Sequence, residues 1–408
     1  MKATWALISG EYPPQSGGVS DYTALLAGAL AEAGDTVHVW APATAGASPR
    51  VTAVTVHPLP GRFGRHARRQ MTSELAALAA AGAAPRLLIQ YVPHAYGRKA
   101  MNLGFCHWVW QHRQLEPWVM FHEVAFPTPV RWHLRHRVLA WTTQRMAVWM
   151  YRAAARSFVA TPAWSEWLDR LAPGGRAPQW LPVPSNLPEP RAEAVTAARR
   201  EWGTALADGS GTDSGIASAM EIGVVSVIGS FCGGVADYTR AGLERLVPAL
   251  LAADPGRIAV LAGGDGLRVR AAILAAAPAL RARVFAPGYL TPAATAALLA
   301  ACDLIVQPYP DGVSGRRGTA MAALALGVPL LTNSGRFTEP RWRDAAAVAL
   351  VPIGDATALL TTAAALLADP TRRRQLGAAG RQLYQDYFAI SHTVRALRTA
   401  AASLAAHP

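Results

Sequence analysis

Short apolar runs alternate with longer amphipathic or alanine-rich stretches along most of the chain. In the first half, Thr4–Ser9 (TWALIS), Thr36–Ala41 (TVHVWA), Val51–His57, Arg86–Tyr91 (RLLIQY) and Ser157–Thr161 (SFVAT) read as strands. WVMFH, within Glu116–His122, reads as another. Helices are predicted over Tyr22–Ala33 with Ser20 as the cap, over Thr72–Ala81, over 131–156 and over Ala194–Glu201. The alternation then restarts. Strands Val224–Ile228, Ile258–Ala262, Arg283–Phe285, Leu304–Gln307 and Val328–Thr332 are interleaved with helices Arg240–Ala252, Leu267–Ala275 and Thr319–Leu326. Ala356–Leu367 and Thr371–Ala405 are almost entirely helical in pattern. Apolar strands separated by helices predict an α/β fold whose parallel sheets are covered on both faces. In such sheets ligands gather at the carboxyl ends of the strands.

The restart divides the chain. Residues 1–185 are expected to form one domain and 222–385 a second, with 386–408 a C-terminal helix packing back on the first. Between them, 186–221 reads as a linker, and its Gly/Ser/Asp/Thr-rich part, Gly203–Ala219, as a mobile segment. An internal match supports the division: GGVSDYT at Gly17–Thr23 and GGVADYT at Gly233–Thr239 share six of seven residues. Each follows the first strand of its half and precedes a helix, so two equivalent loops facing one another across a cleft are expected.

A chain of 408 residues, 51% apolar and 16% charged, is long enough for two globular cores and unlike a disordered protein. Cys106, Cys232 and Cys302 are far apart and form no CxxC pair, so neither a disulfide framework, a zinc site nor any other metal centre is expected. The first residues lack the pattern of a signal peptide and no stretch is long and apolar enough to span a bilayer, which makes the cytoplasm the expected compartment. The formal charge of +13 implies an anionic partner. Nucleic acid is not expected, because no recognisable binding motif accompanies the charge. The excess is local: between Arg98 and Arg156 nine Lys/Arg stand against only Glu116 and Glu123. Trp108, Trp110, Trp118, Trp132, Trp141 and Trp149 lie in the same segment. That combination suits peripheral contact with an anionic membrane at its inner face, or else a helix with tryptophans in the core and arginines outside.

Residues 301–335, ACDLIVQPYPDGVSGRRGTAMAALALGVPLLTNSG, carry the clearest chemistry. A strand, a glycine-rich loop and a helix starting at that loop aim backbone N–H groups and the positive helix end at one spot. Arg316 and Arg317 beside it suit a phosphate or diphosphate. The plain alternative is a buried crossover with two solvated arginines. In the first half, the loops after Ser9, Tyr91 and Phe121 should share one rim. They carry Gly17 and Gly18, then His94 and Tyr96, then His122 and Glu123.

With those residues in view, the chain resembles the GT-B glycosyltransferases, and within them glycosyltransferase family 4, over most of its length. The likeness is carried by GEYPPQSGGVSDYTALLAGALAEAGDTVHVWA, VLAGGDGLRVRAAI, FAPGYLTPAATAALLAACDLIVQPYPDG and GVPLLTNSGRFTE, in that order. It implies two Rossmann-like domains and transfer of a sugar from a UDP- or GDP-sugar to an unidentified glycan, lipid or small-molecule acceptor. It further implies retained anomeric configuration, no required cofactor and a place in envelope or polysaccharide synthesis. His122 takes the position of the family histidine that contacts the transferring sugar, with Glu123 to orient it or act as a base. Donor contacts would come from Gly17, Gly18, Asp311, Ser314, Gly315, Arg316, Arg317, Gly318, Thr319 and Glu339, the last matching the family's GGxxE glutamate. His94 and Tyr96 would meet the acceptor. Two departures stand out. Ser314 and Ala322 occupy the E-x7-E positions, and FCGGVADYTR replaces the loop that usually holds an arginine and a lysine. Arg316, Arg317 and Arg240 are the candidates to restore the missing charge. The missing glutamates also favour a rival, a non-catalytic scaffold or partner subunit of the same fold that has lost its donor site.

Overall fold

The computed structural model describes residues 2–15, 17–46, 51–82, 85–97, 100–127, 134–210, 225–233 and 236–405. They divide into two compact units, Met1–Val183 with Ile390–Pro408, and Pro184–Ala389.

The first unit runs β1 (Thr4–Ser9), α1 (Gly18–Glu32), β2 (Thr36–Pro42), β3 (Val54–Leu59), α2 (Arg65–Ala80), β4 (Arg86–Tyr91), α3 (Leu103–Gln111), β5 (Trp118–Phe121), α4 (Leu134–Ala153), β6 (Arg156–Val159), α5 (Pro162–Leu171) and β7 (Gln179–Trp180). Its strands form one parallel sheet in the order β3-β2-β1-β4-β5-β6-β7. The strands at the centre, β1, β4 and β5, are buried on both faces, as unbroken apolar runs require. The second unit runs α6 (Ala192–Ser210), β8 (Ser226–Phe231), α7 (Asp237–Ala252), β9 (Arg257–Ala262), α8 (Gly266–Ala276), β10 (Val284–Gly288), α9 (Pro292–Ala300), β11 (Leu304–Gln307), α10 (Gly318–Leu326), β12 (Leu330–Ser334), α11 (Pro340–Asp344), β13 (Ala349–Pro352), α12 (Ala356–Ala368) and α13 (Pro370–Tyr387). Its parallel sheet has the order β10-β9-β8-β11-β12-β13. Both are doubly wound, Rossmann-like sheets. The direction of winding reverses between β1 and β4 in one and between β8 and β11 in the other, which is where such sheets open a crevice.

The last helix, α14 (Ile390–Ala405), belongs to the first unit. Leu397, Ala400 and Ala401 join Leu26, Leu30 and Trp5 in its core. Arg398 donates to the Ala33 carbonyl at the end of α1 (2.7 Å) and pairs with the buried Asp35 (3.6 Å). Asp35 also accepts from the Trp5 indole and the Ala3 amide, both at 3.0 Å.

Several element ends differ from expectation for local reasons. Ala53 takes a left-handed φ of 63° and so delays β3 to Val54. Ser20 lies inside α1, which starts at Gly18, and its hydroxyl turns back to the Gln15 carbonyl. The helix expected over 131–156 occupies Leu134–Ala153, and 128–133 lie outside the described residues. Of the segment expected to be mobile, 203–210 extend α6, while 211–219 lie outside the described residues.

Candidate functional site

At the first crevice the two switch-point strands are tied together by a side chain. Tyr96 is completely buried, with its hydroxyl 3.1 Å from the Ile8 carbonyl of β1 and 2.6 Å from the Gln90 carbonyl of β4. Its ring packs among Phe63, Tyr91 and Phe105. Tyr96 was expected to meet an acceptor; it has no surface with which to do so and serves the core instead.

The glycine loop after β1 is also occupied. The Glu11 carboxylate accepts from the Val19 and Ser20 amides, each at 3.1 Å, and so caps α1. A Cβ on Gly17 would lie 2.4 Å from that carboxylate, so Gly17 is where the carboxylate can reach the helix. Gly18 faces open space. The helix end that seemed ready for a ligand anion therefore already holds one belonging to the protein.

His122 follows β5 and is buried. Its Nε2 meets the Gln90 side-chain amide at 2.9 Å. The Tyr22 ring stands edge-on at 4.6 Å, and the His122 carbonyl accepts from the Trp164 indole at 3.0 Å. Burial lowers the imidazole pKa to about 3, which keeps the ring neutral. Gln90, not the adjacent Glu123, orients it. Glu123 is half-exposed and lies 3.8 Å from His94, itself half-exposed. Gln90 was readable in principle. A glutamine inside the apolar run RLLIQY is a polar side chain that the core must place against another polar group, here His122.

In the second unit, β8 and β11 are joined at the switch point by Gln307, whose Oε1 accepts from Ser230 Oγ (3.1 Å) and the Phe231 amide (2.9 Å). The loop leaving β11 is then fixed to the one leaving β12. Gly312 and Gly335 pass so closely that a Cβ on Gly312 would lie 2.2 Å from the Gly335 nitrogen. Gly312 also takes φ 84°, so two demands select glycine there. Asn333 clamps Tyr309 through both its backbone N–H (2.6 Å) and C=O (2.9 Å). Glu339 is buried. Both its oxygens accept from the Gly315 amide (3.0 and 3.1 Å), and one accepts from the Trp342 indole (2.8 Å). Its carboxylate thus shapes the loop.

Within this frame, Asp311 gathers three guanidiniums. Arg316 donates to Oδ2 at 3.2 Å, Arg317 lies 3.6 Å away, and Arg336 donates to Oδ1 at 2.9 Å. Arg317 also stacks over Tyr309, at 4.7 Å, and the Tyr309 hydroxyl meets Thr319 at 2.6 Å. Asp311 thus orders three cations beside the start of α10, with the Glu339 carboxylate on the neighbouring Gly315 amide. A Cβ on Gly318, the first residue of that helix, would meet nothing within 4 Å. An ordered positive loop at an open helix N-terminus can hold a diphosphate. Ser314 is buried in the loop, with a hydroxyl that has no hydrogen-bond partner among the described residues, and Ala322 is buried on α10. Arg240 is engaged elsewhere, by Glu244 (2.8 Å) and Asp237 (3.3 Å) on its own helix. Of the second GGVADYT loop, residues 234–235 lie outside the described residues. Among the described residues no cluster of three or more His, Cys, Asp or Glu could hold a metal ion.

Solved structures share this architecture over the whole chain. A sucrose-phosphate synthase from Thermosynechococcus elongatus superposes with a TM-score of 0.66, at 20% identity, covering 100% of both chains. The Anabaena protein HepE, in complex with UDP and glucose, gives 0.63 at 16% identity, covering 98% of this chain and 99% of its own. WaaG, a glycosyltransferase involved in lipopolysaccharide biosynthesis, gives 0.60 at 14% identity, covering 95% and 98%. The chain has the GT-B fold. No family model matches this GT-B chain, and no curated protein matches it.

Proposed function

We propose that this GT-B protein transfers a sugar, with retention of anomeric configuration, from a UDP- or GDP-sugar to an acceptor hydroxyl. The observation that carries the reading is the Asp311-ordered pair Arg316 and Arg317 at the open start of α10. Fixed cations at that point would stabilise charge on the departing diphosphate without reorganising during the reaction. A neutral His122 suits the other half of the chemistry, since a protonated ring would repel an anomeric carbon gaining positive character. His94 and Glu123, both half-exposed on one rim, are the acceptor-side candidates in this reading. HepE holding UDP and glucose in the same fold adds support for the donor class. Free, buried thiols at Cys106, Cys232 and Cys302 fit a reducing compartment and hence the cytoplasm.

A second reading, a non-catalytic scaffold or partner subunit that has lost its donor site, draws on Ser314 in the loop and Ala322 on α10, which bring no carboxylate to these buried positions. Donor hydrolysis without acceptor separates the two. Incubation with a panel of UDP- and GDP-sugars should release nucleoside diphosphate from at least one, and the double substitution Arg316→Ala/Arg317→Ala should abolish the release. No release by the intact protein from any donor, with or without binding, would overturn the transferase and favour the scaffold.

A further inference from the structure

The geometry points to the outer face of α4 as a docking surface for an anionic lipid bilayer. Leu134, Val138 and Trp141 are 75%, 48% and 57% exposed, although large apolar side chains at helical spacing normally face a core. At about 100° per residue they fall within an arc of roughly 60°. The opposite face is the packed one, with Ala140, Thr143, Met146, Ala147 and Met150 all buried. The helix is held in that orientation by Thr143, which accepts from the Phe126 amide at 3.1 Å. The stripe is therefore presented outward by the fold.

Charge selects the occupant. Over Leu134–Ala153 the helix carries Arg135, Arg137, Arg145 and Arg152 and no carboxylate. By the same helical geometry Arg145 and Arg152 continue the apolar line, while Arg135 and Arg137 flank it on either side. The Arg145 guanidinium lies over the Trp141 ring at 5.6 Å. Apolar side chains ringed by arginines match the boundary of an anionic bilayer, where tryptophan sits at headgroup depth and guanidiniums reach lipid phosphates. Among the described helices none is long and apolar enough to cross a membrane, so the contact is one of lying on the surface. The tryptophans of the basic segment divide accordingly. Trp108 and Trp118 are buried, Trp110 and Trp149 are half-buried, Trp132 lies outside the described residues, and Trp141 is exposed. The surface stands independently of the sugar-transfer reading.

Flotation with vesicles tests it, using phosphatidylcholine alone and phosphatidylcholine containing about one-third phosphatidylglycerol. The full chain should float with the anionic vesicles only, and less as salt rises. Arg135→Glu/Arg137→Glu/Arg145→Glu should abolish flotation, and each single Arg→Gln change should weaken it about fivefold. Leu134→Ser/Val138→Ser/Trp141→Ser should weaken anionic binding while leaving the melting temperature unchanged, because these side chains are exposed. Failure of the wild type to float, or equal flotation by the charge-reversed variant, would overturn the proposal. So would a dimer in solution that the serine variant disperses, since a second copy would then be what covers the face.

Discussion

His122 gains its neutrality from burial, and the same burial makes it a liability in acid. Its folded pKa, about 3, lies below the ordinary value of 6.5. Above pH 6.5 neither state is protonated and the histidine costs nothing. As pH falls through the interval between those values, the unfolded chain takes up a proton that the folded chain refuses, and stability is lost. The loss approaches 1.4 kcal/mol per pH unit, or about 2 kcal/mol between pH 6.5 and 5. Urea unfolding of the wild type and of His122→Gln at both pH values should show this difference, with the variant lacking it. Equal pH slopes would mean that water reaches the imidazole in the folded state. Other single residues teach how little a residue's type says about its use. Tyr96 and Glu339 look like ligand contacts in the sequence, yet Tyr96 spends its hydroxyl on two backbone carbonyls and Glu339 its carboxylate on the Gly315 amide and the Trp342 indole.

Elements were legible where an unbroken apolar run met a helix breaker. β11, its loop, α10 and the stop at Gly327 follow the sequence pattern closely, and Gly327 takes the φ of 69° that ends the helix. What could not be read was reciprocity between distant segments. Nothing near Gly17 says that Glu11 will fill the start of α1, and nothing near Asp311 says that Arg336 will arrive from the next loop. Such contacts depend on which strands become neighbours. The attachment of α14 is of the same kind, resting on Asp35, which serves Trp5, Ala3 and Arg398 together. Asp35→Ala would strand the buried Trp5 indole N–H and remove the carboxylate that pairs with Arg398, at a cost of about 3 kcal/mol. Hydrogen exchange should then show α14 opening faster while α10 in the second unit is unchanged. Unaltered protection of α14 would show that its apolar face alone suffices.

At the scale of the whole molecule, alternation and one repeated heptapeptide were enough to indicate two doubly wound sheets, because covered parallel strands must be apolar on both faces. The second copy of the repeat precedes α7, and its residues 234–235 lie outside the described residues. The contrast between the units lies elsewhere: after β1 the helix end is capped by Glu11, whereas the start of α10 is flanked by arginines that Asp311 holds in place. The two units are thus alike in winding, and the proposed diphosphate site belongs to the second. Calorimetric titration with UDP-glucose and GDP-mannose measures this most directly. The account predicts saturable binding of at least one of them that Arg316→Ala and Arg317→Ala each weaken by about tenfold or more, in line with the loss of a charge-assisted hydrogen bond. Full affinity in the Arg316→Ala/Arg317→Ala double variant would contradict it.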